Sequence, residues 1–141
     1  MILLDTDHLT VAMFPDDARY HPLRRRMDAV GMEEFATTIV SVEEQMRGWL
    51  SFISRIRDIH QQTGAYDRLG ALLVFLADWA VVPFDVLAAD QFERLRKAKV
   101  RIGSQDLKIA SVAFAHDALL LSANLRDFRQ VPGLKVEDWL A

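Results

Sequence analysis

Residues 1–10, MILLDTDHLT, set the aliphatic run Ile2-Leu3-Leu4 directly against Asp5, Thr6 and Asp7. An unbroken apolar run of this kind reads as a strand buried on both faces of a parallel sheet. The carboxyl end of such a strand is where open α/β sheets bind their ligands. Acid at that place has two readings: a cap for the following helix, a role open to Thr6 or Asp7, or part of a site. The rest of the chain decides between them.

The strand signal recurs at Phe35–Val40 (FATTIV), at Val81-Val82-Pro83-Phe84, at Ala118–Ala123 (ALLLSA) and at Leu134–Val136. Helical patterns separate these runs. Short helices are expected over Asp7–Ala12 and Pro22–Val30. In SVEEQMRGWLSFISRIRDIHQ, residues Val42, Met46, Trp49, Ile53 and Ile56 recur at spacings of three and four. Gly64 is expected to interrupt before an amphipathic helix carrying Leu69, Leu72, Leu73 and Leu76. Asp85 is placed to cap a helix from Val86 to Lys97, and Ser104 one from Gln105 to His116. Strands alternating with helices predict an α/β domain with a mainly parallel sheet and right-handed crossovers. With 141 residues and no Gly/Ser/Pro-rich linker, residues 1–141 are expected to form one domain.

Composition narrows the function. The absence of cysteine excludes a disulfide framework, a thiolate zinc site and a cysteine nucleophile, and it suits the cytoplasm. No basic region or small-residue cleavage site marks a secretory leader. The longest uncharged run, Leu69–Ala77, is far shorter than the roughly 20 residues of a spanning helix, so no membrane association is expected. A net charge of -3 means that a nucleic-acid partner would need a local basic patch. Arg24-Arg25-Arg26 is one candidate. The other is Arg96, Lys97, Lys99 and Arg101 within RLRKAKVRIG; for both, a solvated helix face is the plainer reading.

The acids share one kind of place. Asp5 ends the first strand, Asp106 falls in the first turn of its helix, and Asp127 follows the fourth strand. Glu44 joins them if its helix leaves the second strand at the same sheet edge. Four carboxylates in one crevice would either raise one another's pKa values or hold a cation. Oxygen donors without Cys or paired His favour Mg²⁺ or Mn²⁺, and such ions support phosphodiester hydrolysis. Each acid also has a duller role. Ser41-Val42-Glu43-Glu44 fits a capping box, Asp106 could complement a helix N-terminus, and Asp127 could be a turn acid. Asn124, a turn former, has an amide that could hold a carboxylate.

These segments together resemble a PIN-domain ribonuclease, most closely the VapC-type toxins of bacterial toxin-antitoxin pairs. LDTDHL resembles the family's opening segment, SVEEQMRG its E-x-x-x-G helix, IGSQDLKIA its I-G-x-x-D-x-x-I-A segment, and LLLSANLRDFRQVPGLKVEDW its closing strand and turn. The likeness implies Asp5, Glu44, Asp106 and Asp127 as the catalytic, metal-holding acids, with Ser122 and Asn124 supporting and Thr6 orienting Asp5. Asp7 stands where the family often has Asn, as an added ligand or a cap, and Gln105 stands beside Asp106 where Asn or Asp is common. The likeness further implies a three-layer α/β/α sandwich, a homodimer, an antitoxin that inserts into the active-site groove, and RNA cleavage leaving a 3′-hydroxyl and a 5′-phosphate. Flanking phosphates would meet Arg96, Lys97, Lys99 and Arg101.

Two other readings compete. Asp5-Thr6-Asp7-His8 partly fits the DxDx[TV] segment of haloacid-dehalogenase-like phosphatases, with Asp5 as nucleophile, although Leu9 stands where Thr or Val belongs. A non-catalytic binding module on the same fold is the other. GxSxG, GxxxxGK and GxGxxG are absent, and His8, His21, His60 and His116 lack zinc-ligand spacing and are expected to be solvated or capping.

Overall fold

Ile2–Leu4 forms β1, the central strand of a five-stranded sheet, in the computed structural model, which describes residues 1–141. The other strands are β2 (Phe35–Thr38), β3 (Ala80–Val82), β4 (Leu119–Leu121) and β5 (Val136–Glu137), in the order β3-β2-β1-β4-β5. Every pairing is parallel, with Leu4 opposite Thr37 on one side and Leu121 on the other. Strand order therefore reverses at β1. The crevice beyond the carboxyl ends of β1 and β4 is the switch point at which open sheets place ligands.

Side-chain alternation along β1 divides the core in two. Leu3 packs with Ala36 and Leu120 beneath α5 (Val86–Lys97) and α6 (Ser104–Ala115), through Ala88, Leu95, Leu107, Ile109 and Ala110. Ile2 and Leu4 pack on the opposite face with Leu121, Leu9 of α1 (Thr6–Met13), and Leu23 and Met27 of α2 (Tyr20–Ala29). The result is the α/β/α sandwich. Burying each such Leu contributes about 1.5–3 kcal/mol, which is why the apolar run of β1 is continuous rather than alternating.

Helix boundaries depart from the sequence reading at three places. Helix α3 (Ile39–Arg55) begins before Ser41, because the Thr38 hydroxyl accepts the Ser41 N–H at 3.0 Å and caps it; Ile39 and Val40 leave the strand for the helix. Helix α4 (Ile59–Ala77) starts with Asp58 accepting the His60 N–H at 3.0 Å and runs straight through Gly64. Gly103, not Ser104, occupies the cap of α6. The Asp85 cap holds as expected, accepting the Ala88 N–H at 3.0 Å. A short helix α7 (Leu125–Phe128) follows β4. No helix is long and apolar enough to cross a membrane.

Candidate active site

Asp5 follows β1 and itself caps α1, a role that the sequence suggested for Thr6 or Asp7. The residue is only 6% exposed, and both carboxylate oxygens are bonded: Oδ1 accepts the Thr6 N–H at 2.7 Å and Oδ2 accepts the Ser122 hydroxyl at 2.8 Å. Burial pushes its pKa above the usual carboxylate value, outweighing the bonds that favour the charged form. Ser122 is fully buried and also accepts the Asn124 N–H at 3.0 Å, so one hydroxyl ties β4 to β1.

The shift in the start of α3 changes the standing of Glu44. With Thr38 as the cap, Glu44 lies well inside the helix and cannot serve as the third-position partner of a capping box. It accepts the Thr6 hydroxyl at 2.8 Å instead, and burial raises its pKa, with Asp5 and Glu43 adding to the rise. Glu43 faces away, bonded to Gln105 at 2.8 Å and to Arg47 at 2.6 Å. Of the two neighbouring acids, the one in the crevice is Glu44.

Asp106 stands in the first turn of α6. Its carboxyl is pushed up to about 6, first by partial burial and then by the negative charges of Asp5, Glu44 and Asp127. Hydrogen bonds link these acids around the crevice beyond β1 and β4: Thr6 donates to both Asp5 and Glu44, Ser122 ties Asp5 to the exit of β4, and Asn124 bonds Asp106 and Asp127. Asn124 organises the far side. Its Nδ2 donates to Asp106 and to Asp127 at 3.1 Å each, while its Oδ1 accepts the Asp127 N–H and caps α7.

Other expectations fare differently. Asp7 is exposed, is not the helix cap and bonds no neighbour through its side chain, although its charge adds to the rise at Asp5. Arg96, Lys97, Lys99 and Arg101 are exposed at the end of α5 and in the turn to α6, and none pairs with a carboxylate. The Arg24–Arg26 patch is partly neutralised, with Arg24 4.0 Å from Asp28 and Arg26 3.9 Å from Glu137. His8 is neither solvated nor a cap. It is fully buried, its Nε2 accepts the Trp139 N–H at 3.0 Å, and desolvation lowers its pKa to about 4. Gln45 was not singled out from sequence; it donates to Thr10 Oγ1 at 2.6 Å and bridges α3 to α1 beside Glu44.

The donor set is all oxygen, and mutual repulsion raises the charge cost of leaving it without a cation. No three of these acids draw close enough to form a ready cage for a metal ion. Oxygen donors of this kind are the ones a hard cation such as Mg²⁺ takes, one or two at a time alongside its own waters.

The family model that matches the chain is the PIN domain, over residues 2–134. Among curated relatives, "Ribonuclease VapC2" of Rickettsia felis is 31% identical over 70 residues, 47% of this chain and 52% of that one. "tRNA(fMet)-specific endonuclease VapC" of Salmonella typhimurium is 30% identical over 69 residues, 46% and 52% of the two chains. The matches thus span about half the length of these relatives. Solved structures with the same fold include VapBC2 from Rickettsia felis bound to a promoter DNA fragment, at TM-score 0.70, 24% identity and 99% coverage of both chains. VapBC-1 from nontypeable Haemophilus influenzae aligns at TM-score 0.74 and 20% identity over the whole of both chains.

Proposed function

The chain belongs to the PIN domain family, and from that premise we propose that it is a divalent-metal-dependent endoribonuclease. We further read it as the toxin of a toxin-antitoxin pair, acting in the cytoplasm as a homodimer of single-domain subunits. The observation that carries the reading is the hydrogen-bond network at the switch point, in which Ser122 and Thr6 hold Asp5, Thr6 holds Glu44, and Asn124 holds Asp106 and Asp127 together. The ribonuclease names of the relatives and the VapBC complexes among the structural neighbours support it.

In the proposed mechanism Asp5 and Asp106 would hold Mg²⁺ or Mn²⁺, with Glu44 and Asp127 completing the site. A hard divalent cation supplies Lewis acidity toward the phosphate and makes water a nucleophile at neutral pH. The chain's own residues set the stage. Ser122 and the Thr6 N–H fix the position of the Asp5 carboxylate. The Thr6 hydroxyl holds Glu44 in the crevice. Asn124 donates to Asp106 and Asp127 together, which offsets their repulsion and keeps both aimed at one point. Arg96, Lys97, Lys99 and Arg101 supply cations for flanking phosphates.

An antitoxin would restrain this crevice, and a second copy would cover the outward side of α3, where Ile39 and Leu50 are 43% and 54% exposed. The phosphatase reading is not retained, because the chain belongs to a different family. The test is cleavage of labelled structured RNA by the purified protein in Mn²⁺ and in chelator. Metal-dependent cuts bearing 5′-phosphates are expected, whereas cyclic-phosphate ends made equally in chelator would refute the metal reading.

A further inference from the structure

The hydrogen bonds around the acid crevice leave one side open. Thr6 joins Asp5 to Glu44, the Ser122 hydroxyl joins Asp5 to the Asn124 N–H, and Asn124 joins Asp106 to Asp127. Glu44 and Asp106 share no partner: the side-chain bond of Glu44 runs to α1, and that of Asp106 runs to Asn124. No hydrogen bond within the crevice therefore ties α3 to α6.

The gap is spanned from outside, by the chain neighbour of each acid. Gln105 Nε2 donates to Glu43 Oε1 at 2.8 Å, the one hydrogen bond between α3 and α6. Both ends of this bond are themselves held. Arg47 donates to Glu43 Oε2 at 2.6 Å from the next turn of α3, and Lys108 Nζ donates to Gln105 Oε1 at 3.3 Å from the next turn of α6. Every joint pairs a donor with an acceptor. The Gln105 amide thus has one orientation that satisfies both neighbours, its oxygen toward the ammonium and its nitrogen toward the carboxylate. Stability gives little reason for the arrangement, because the Glu43 side chain is 47% exposed and exposed charged pairs contribute little to folding. Position gives a better one. A helix is stiff and its neighbouring residues turn together, so fixing Glu43 fixes the rotation of α3 that aims Glu44, and fixing Gln105 does the same for Asp106.

We propose that Glu43 and Gln105 are positioning residues of the acid site, whose hydrogen bond straps α3 to α6 and keeps Glu44 and Asp106 in register for a divalent ion. The inference rests on the metal-dependent reading of the crevice. Neither residue touches the ion or the reacting phosphate; each acts through the acid beside it.

Calorimetric titration of the full chain with Mn²⁺, without RNA, reads the strap directly, and thermal unfolding of the metal-free proteins controls for the fold. Gln105→Ala and Glu43→Ala should each weaken Mn²⁺ binding by roughly 10-fold, the low end for outer partners of a metal site, while melting close to the wild type. The double variant should bind no more weakly than either single one, since the same bond is lost in all three. Glu43→Gln removes the same charge as Glu43→Ala but keeps an acceptor for the Gln105 amide. It should bind Mn²⁺ nearly as tightly as the wild type, which separates a strap from a simple loss of negative charge. Losses that add in the double variant, a loss in Glu43→Gln equal to that in Glu43→Ala, or an affinity loss matched by a fall in melting temperature would overturn the proposal. A wild type that cleaves RNA in Mn²⁺, with alanine variants that bind the ion as tightly as it does, would sink this inference alone. A wild type that binds no Mn²⁺ would sink the metal reading and the inference with it.

Discussion

The Ser122 hydroxyl donates to Asp5 Oδ2 at 2.8 Å, joining two residues 117 positions apart at the carboxyl ends of neighbouring strands. Few single contacts in the chain do as much. The bond spans the switch point, satisfies a buried carboxylate and, through the Asn124 N–H, sets the turn that carries Asp127.

Ser122→Ala removes a bond to a buried charge, a loss of about 1.5–3 kcal/mol. The variant should melt earlier than the wild type at neutral pH. The Asp5 pKa, already raised by burial, should climb further. Thermal unfolding across a pH series checks this, since the deficit should shrink in acid as Asp5 takes up a proton.

Asp106→Asn should stabilise the metal-free protein at pH 7 and above. The folded pKa of about 6 lies above the ordinary carboxylate value of 3.8, so the native state binds more protons and stability falls as pH rises between these values. Allowing for solvent screening at a half-buried group, the effect is on the order of 1 kcal/mol. Denaturant unfolding at pH 4 and pH 7.5 should show a gap only at the higher pH.

Metal affinity should fall below about pH 6, because the Asp106 proton must leave before the ion is bound. Calorimetric titration with Mn²⁺ is expected to show about a tenfold loss for each further unit of acid, as one competing proton requires. Affinity independent of pH would remove Asp106 from the ligand set.

His8→Gln should flatten the acid limb of the stability curve. The buried imidazole titrates near 4 when folded and 6.5 when unfolded, so the stability held above 6.5 is lost as pH falls toward 4. For a fully buried group this is about 2 kcal/mol between pH 7 and pH 5. Glutamine retains an acceptor for the Trp139 N–H. Chemical unfolding of both proteins at the two pH values gives the comparison.

Much of this was legible in the sequence where local chemistry and tertiary need agree. Val86–Lys97 is a helix between the predicted bounds because Asp85 caps it and its apolar residues keep one face. The acid edge was legible because a parallel sheet sends every strand exit to one side. Thr38 and Ser41 show where the reading ran out. Both are short hydroxyl residues able to cap, they bond each other at 3.0 Å, and only the buried junction of β2 with α3 decides that Thr38 does it. That decision moved Glu44 from a plausible cap to the crevice. The burial of His8 left no local signal at all, since its partners Asp138 and Trp139 lie at the other end of the chain.

The central claim is that Asp5, Glu44, Asp106 and Asp127 form one metal-dependent phosphodiesterase centre. The most direct measurement is single-turnover cleavage of labelled RNA in Mn²⁺ by the wild type and by Asp106→Asn, a change that preserves shape and an acceptor for Asn124. Cleavage by the wild type and its loss in the variant, with the variant still folded, is the predicted result. Equal cleavage by both proteins would contradict the account.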